Sequence, residues 1–191
     1  PKLVPAYIRR AFIYSTIGQL DKSIADYDET IRLDPKNDMA YNNRGVAYMD
    51  KGELDKALAD YNEAIRLNPR YGLAYYNRAN IYTTKNELDK AIADYDEAIR
   101  LNPKYVDAYI NRGKAHKDKG DFDKAIADYN EAIRLNPNGA VAYYTRGLIR
   151  AMKGDFSAAI EDGEQFLKLE PNNPSAKEMQ RLVAEWKTKI K

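Results

Sequence analysis

Apolar side chains in residues 38–71 fall into two helical stripes separated by a polar break. Tyr41, Gly45 and Tyr48 follow the i, i+4, i+7 spacing of one helix face, with Ala40 beside them. Leu54, Ala57, Leu58, Tyr61, Ala64, Ile65 and Leu67 give a second face of the same period. Between the two stands Gly52, which tolerates the left-handed backbone that ends a helix. Asp55 is expected to cap the second helix by accepting from its free N–H groups. Pro69 bars further helix, because it lacks an N–H and disfavours helical geometry in the residue before it. The pattern predicts a helix hairpin.

The same pattern returns along the whole chain. The stretch AYNNRG at 40–45 recurs as AYYNRA at 74–79, AYINRG at 108–113 and AYYTRG at 142–147, with AYIRRA at 6–11. Prolines at 35, 69, 103, 137 and 171 are 34 residues apart, and Pro1 falls on the same ladder. A fixed period of this size marks an array in which each unit buries its apolar face only by stacking on its neighbours. With the proline at position 32 of each unit, the repeats are 4–37, 38–71, 72–105, 106–139 and 140–173. Residues 174–191 then read as a capping helix, with Asn173 as N-cap, Pro174 at the first helical position, Met179, Leu182, Val183, Trp186 and Ile190 on the inner face and charge on the outer one. Residues 1–3 read as the remnant of a preceding repeat, so a chain cut from a longer array is expected. The whole is one expected domain.

Composition narrows the function classes. The 191 residues carry 31 Lys+Arg against 29 Asp+Glu, interspersed and without the one-sided basic stripe that phosphate backbones need, so nucleic acid is not an expected partner. There is no cysteine, which removes disulfides and thiolate metal sites. No apolar run approaches the roughly 20 residues that span a bilayer, so no membrane insertion is expected. The chain reads as soluble material; the compartment is not fixed, with the cytoplasm favoured.

The period, the helix-turn-helix unit, and small or aromatic residues at positions 4, 8, 11, 20, 24 and 27 ahead of proline at 32 resemble the tetratricopeptide repeat. The resemblance implies an all-α, right-handed superhelical solenoid of antiparallel hairpins that binds a protein or peptide in the groove lined by the first helices. Departures are plain. Position 7, usually leucine-like in the family, is arginine in every unit, position 11 becomes His116 and Arg150 in the last two, and the fifth repeat carries Gly163 and Phe166 at positions 24 and 27.

Each arginine at position 7 has an aspartate at position 23 of the same unit. Arg44 with Asp60, Arg78 with Asp94 and Arg112 with Asp128 are therefore expected to form structural clasps, since an unpaired buried charge costs several kcal/mol. The alternative for Asp60 is a surface pair with Lys56, one helical turn away.

Positions 2, 5, 6, 9, 12 and 13 lie away from the second helix, on the side the resemblance assigns to the groove. Position 6 supplies Asn43, Asn77, Asn111 and Thr145, and an amide can grip both the N–H and the C=O of an extended peptide. The family's sugar-transferase member has a similar asparagine row, which implies backbone binding; the alternative is that the asparagines only solvate a wet wall. Asn42, Tyr76, Ile110 and Tyr144 at position 5, and Asn80 and Lys114 at position 9, complete the expected peptide-binding wall. Positions 3, 4, 7, 23, 30 and 32 are identical in all units, whereas position 2 reads Pro5, Met39, Leu73, Asp107, Val141. Fixed scaffold and varied wall fit an interaction array. The chaperone-tail clamp of some family members is disfavoured, because Tyr76 stands where that clamp has lysine and Val141 and Thr145 where it has basic groups.

Chemistry finds no foothold. His116 is the single histidine and occupies a core slot held elsewhere by Tyr14, Tyr48 and Tyr82. The acids are periodic, and no phosphate loop or HExxH is present. No enzyme activity, cofactor or metal is expected. A second expected mode is end-to-end self-association through the first repeat, where no cap is visible.

Overall fold

The computed structural model of the protein describes residues 3–190. Among them are eleven helices and no strand: α1 (Val4–Thr16), α2 (Leu20–Leu33), α3 (Asp38–Asp50), α4 (Leu54–Leu67), α5 (Gly72–Thr84), α6 (Leu88–Leu101), α7 (Val106–Lys119), α8 (Phe122–Leu135), α9 (Ala140–Met152), α10 (Phe156–Leu169) and α11 (Ala176–Lys189). The expected all-α hairpin array is what forms. Residues up to Pro103 make one compact unit and residues from Lys104 make a second. The remnant expected at residues 1–3 lies, for Pro1 and Lys2, outside the described residues.

In the first unit α1 packs on α2, α3 on α4 and α5 on α6, and each hairpin also meets the next through α2 with α3 and α4 with α5. Alanine or glycine at position 8 lets paired helices approach closely: a Cβ built on Gly45 would stand 2.7 Å from the Tyr61 ring. Burial on both sides explains the fully covered Ala57, Tyr61 and Ala64, and Tyr95 in the following repeat. In the second unit α7 packs on α8, α8 on α9, α9 on α10 and α10 on α11. There Met179, Val183 and Trp186 of α11 close the core over Ile160 and Phe166. Position 10, absent from the sequence-based stripe, is also core: Ala47, Ile81, Ala115 and Ile149 are buried. A face counted only against the partner within the hairpin misses the neighbouring repeat.

The turns between paired helices use the left-handed backbone at position 15, by glycine in four units and by Asn86 at φ 58° in the third. The capping role expected of position 18 is not found. Helices α2, α4, α6 and α8 begin at position 17, ahead of the aspartate, so Asp21, Asp55, Asp89 and Asp123 sit inside the first turn, where a carboxylate complements the helix dipole. Asp21 pairs with Lys51 of the next repeat at 2.6 Å, Asp55 with Lys85 at 2.7 Å, and Asp123 with Lys153. The last helix also starts later than expected. Asn173 accepts from the Ser175 N–H in a turn before α11, and Ile190 follows the helix and is exposed instead of lying on its inner face.

Candidate protein-binding wall

Five arginine–aspartate pairs brace the hairpins. Arg10 meets Asp26 through Nε and Nη2 at 2.7 Å each, and Arg44 meets Asp60 at 2.8 and 2.6 Å. Arg78 and Asp94 are joined at 2.6 and 2.7 Å, Arg146 and Asp162 at 2.9 and 2.5 Å, and Arg112 reaches Asp128 through Nε at 3.0 Å and Nη2 at 2.5 Å. The fork matches a carboxylate in two parallel bonds, which fixes the helix pair in register. Tyrosines at positions 4 and 11 stand on either side: the Arg44 guanidinium lies 5.5 Å from the Tyr41 ring and 5.9 Å from that of Tyr48, and Arg78 sits likewise between Tyr75 and Tyr82. Burial pushes the Asp60 carboxyl up from its usual range, and the Arg44 bonds draw it part of the way back. Lys56, the alternative partner of Asp60, pairs instead with Glu53 at 2.5 Å.

A further set of groups, unforeseen from sequence, completes the fork of Arg44, Arg78 and Arg146. Arg44 Nη1 donates to Asp28 of the preceding repeat, Arg78 Nη1 to Asn62 and Arg146 Nη1 to Asn130, all at 2.6 Å. Position 25 carries a side-chain oxygen in every unit (Asp28, Asn62, Asp96, Asn130, Glu164), a signal present in the repeat itself. One arginine thus ties three helices together.

The asparagine row proves to be largely internal in the first unit. Asn42, expected on the wall, is only 1% exposed, and Asn77 is 7% exposed. Asn77 Nδ2 donates to Asn42 Oδ1 at 3.0 Å, and Asn42 Nδ2 donates to Asn43 Oδ1 at 3.1 Å. Asn42 and Asn77, expected as exposed ligands, are instead buried and joined to each other between repeats, because position 5 and position 6 of adjoining repeats face each other. Asn43 is half-exposed and close to the Tyr27 phenol, whose pKa burial raises and Asn43 lowers in part. Thr145 stands in the same relation to Tyr129. In these two pairs the position-6 residue lies beside the buried tyrosine of the preceding second helix. Tyr61 is the exception: its hydroxyl is buried without a partner among the described residues, since Asn77 turns to Asn42.

The other wall residues are half-buried or exposed. Tyr76 leans on the Tyr95 ring at 5.9 Å, and Tyr144 on Phe166 at 5.0 Å, and both are half-buried. Asn80 accepts from Tyr95 Oη at 2.7 Å. Ile110 and Asn111 are half-buried, and Lys114 is exposed. Met39, Leu73 and Val141 at position 2 stand free of the core. His116 is buried in its core slot, its Nδ1 3.6 Å from Asp121. No helix among the described residues is long and apolar enough to cross a membrane.

Stacked helix hairpins with a fixed, braced interior and a varied outer wall define a repeat scaffold. The chain belongs to the tetratricopeptide repeat family: residues 13–52 and 79–120 match one TPR repeat pattern, residues 39–71 and 106–138 a second, and residues 60–93 and 140–173 two more. No curated protein sequence matches it. Among solved structures it is similar to MamA, at 29% identity over 84% of this chain and 94% of that one, with a TM-score of 0.79. It also resembles YrrB, described as a TPR protein with an unusual peptide-binding site, at 22% identity over 95% and 90% of the two chains with a TM-score of 0.76. A tetratricopeptide repeat protein of Parabacteroides merdae shares the fold at 20% identity over 99% of this chain and 75% of that one, with a TM-score of 0.83.

Proposed function

We propose that the chain is a non-enzymatic scaffold that holds a segment of a partner protein against the wall formed by the first helices α1, α3 and α5 of its first unit. The observation that carries this reading is the split between positions. Ala, Tyr, Arg and Asp at positions 3, 4, 7 and 23 are the same in every unit and brace the hairpins, while position 2 varies and leaves Met39, Leu73 and Val141 in solvent. Exposed apolar side chains on a varied face support a recognition surface. Asn43 accepts from Asn42 Nδ2 and is half-exposed, which supports a contact between its amide and a peptide group. The test compares the wild-type protein with a Met39→Asp, Leu73→Asp double variant as immobilised bait. Both substituted residues are exposed, so the melting temperature stays unchanged, and partner proteins held by the wild type are lost. Equal retention by the two would move binding off this wall.

A second reading, helix stacking between copies on α1, is favoured by one feature. Ile13 of α1 and the flanking Leu3 and Ile17 are exposed, and Arg10 uses Nε and Nη2 on Asp26 without the third bond that Arg44, Arg78 and Arg146 make. Light scattering over a concentration series decides it, a constant monomer mass ruling it out.

A further inference from the structure

Within the first unit, an open pocket of about 300 Å³ lies between α1 and α3 on the first-helix wall. Phe12 and Val46, both at position 9, form its apolar sides, and Tyr27 and Asn43 are among its lining residues. Phe12 is 61% exposed, a large aromatic surface held in water beside a pocket into which it does not fold. The equivalent side chain of the third repeat, Asn80, is instead tied to Tyr95. Asp50 completes the lining; it is exposed, forms no ion pair among the described residues, and is the single charge in the pocket. The apolar lining calls for a bulky apolar side chain, and the uncompensated carboxylate beside it calls for a cation.

We infer that this pocket is a specificity site for an apolar–basic pair in the partner segment: the apolar side chain enters between Phe12 and Val46, and the adjoining Lys or Arg meets Asp50. The Asn43 amide, at the pocket wall, then faces the backbone between the two. The inference rests on the peptide-binding reading and sharpens it to a sequence class.

A random peptide library selected on the whole protein tests it, followed by anisotropy titration of the enriched peptides. Enrichment of an apolar residue next to Lys or Arg is expected. Exchanging that basic residue for Glu weakens binding about two- to fivefold, as for an exposed ion pair, and Asp50→Lys inverts the preference. Phe12→Ala weakens binding of every selected peptide about tenfold or more, through loss of buried apolar surface. Phe12 and Asp50 are both exposed, so neither variant threatens the fold. Enriched peptides that ignore Asp50→Lys and Phe12→Ala but are lost in Leu73→Asp overturn the inference and leave the scaffold reading intact. No enrichment at all overturns both.

Discussion

The second and fifth repeats are built from the same thirty-four-residue plan and solve different problems. In the second, Tyr48 lies beside the Arg44 guanidinium, Tyr61 fills position 24 and Ala64 position 27, and another repeat follows. In the fifth, Arg150, Gly163 and Phe166 take those places, and α11 follows. The substitutions compensate one another. A Cβ on Gly163 would stand 2.5 Å from Val183 Cγ2 and 2.9 Å from Met179 Sδ, so the lost tyrosine opens the room that α11 enters. Phe166 restores the missing aromatic bulk one turn later, against Met179, Val183 and Trp186. Arg150 turns the tyrosine slot into a second cation on Asp162, at 3.0 Å beside Arg146. The departures at positions 24 and 27 of the fifth repeat fall where it meets α11 and not another hairpin.

The arginine clasp separates the two most strongly. Arg112→Ala leaves Asp128 buried without its fork and is expected to cost about 3 kcal/mol or more. Arg146→Ala leaves Asp162 still held by Arg150 and is expected to cost about 1.5 kcal/mol, the worth of a charged hydrogen bond. Urea unfolding of the two variants measures the difference, and equal losses would deny Arg150 its part.

Next in size is Gly163→Ala. Alanine is preferred over glycine inside a helix by about 1 kcal/mol, yet overpacking against a β-branched neighbour costs about 1–3 kcal/mol, so a net loss is expected. A rise in melting temperature would show α11 to be loosely seated.

The tyrosines differ more gently. Tyr95→Phe removes a bond to Asn80 and is expected to lose about 1 kcal/mol, whereas Tyr61→Phe removes a hydroxyl that is buried and without a partner among the described residues and is expected to be neutral or stabilising. A loss at Tyr61 equal to that at Tyr95 would mean that its hydroxyl has a bound partner in solution.

Smallest at neutral pH, and visible only in base, is the titration of the same residues. Burial raises the phenol pKa of Tyr27, Tyr61, Tyr71 and Tyr129. The unfolded chain ionises near pH 10 while the folded one keeps its protons, so their contribution is complete below about pH 10 and is lost as pH rises beyond it. Urea midpoints followed from about pH 9 to 11 are expected to fall, and less steeply in Tyr61→Phe. A flat profile would place these phenols in water.

How much of the fold is legible in the sequence depends on where each residue makes its contacts. The hairpins, the left-handed turn residue and the inner face of α11 follow from apolar period, glycine and proline, because backbone geometry and burial within one hairpin act locally. The caps expected of the position-18 aspartates do not form, since the second helices already start at Leu20, Leu54, Leu88 and Phe122, and Asp21, Asp55 and Asp123 pair with the lysine of the following repeat. The wall is less legible than the scaffold. Asn42 and Asn77 read as ligands because they are polar on an outward-facing stripe, but a neighbouring repeat covers that stripe and joins the two amides.

The sequence by itself determined the all-α hairpin repeat and the residue pairs that brace it, because a period repeated five times repeats its physical demands. Only the tertiary structure decided which polar groups remain for a partner. That choice depends on the distance between side chains of adjacent repeats: 3.0 Å between Asn42 and Asn77 closes one site, while Phe12, Val46 and Asp50 line another that stays open.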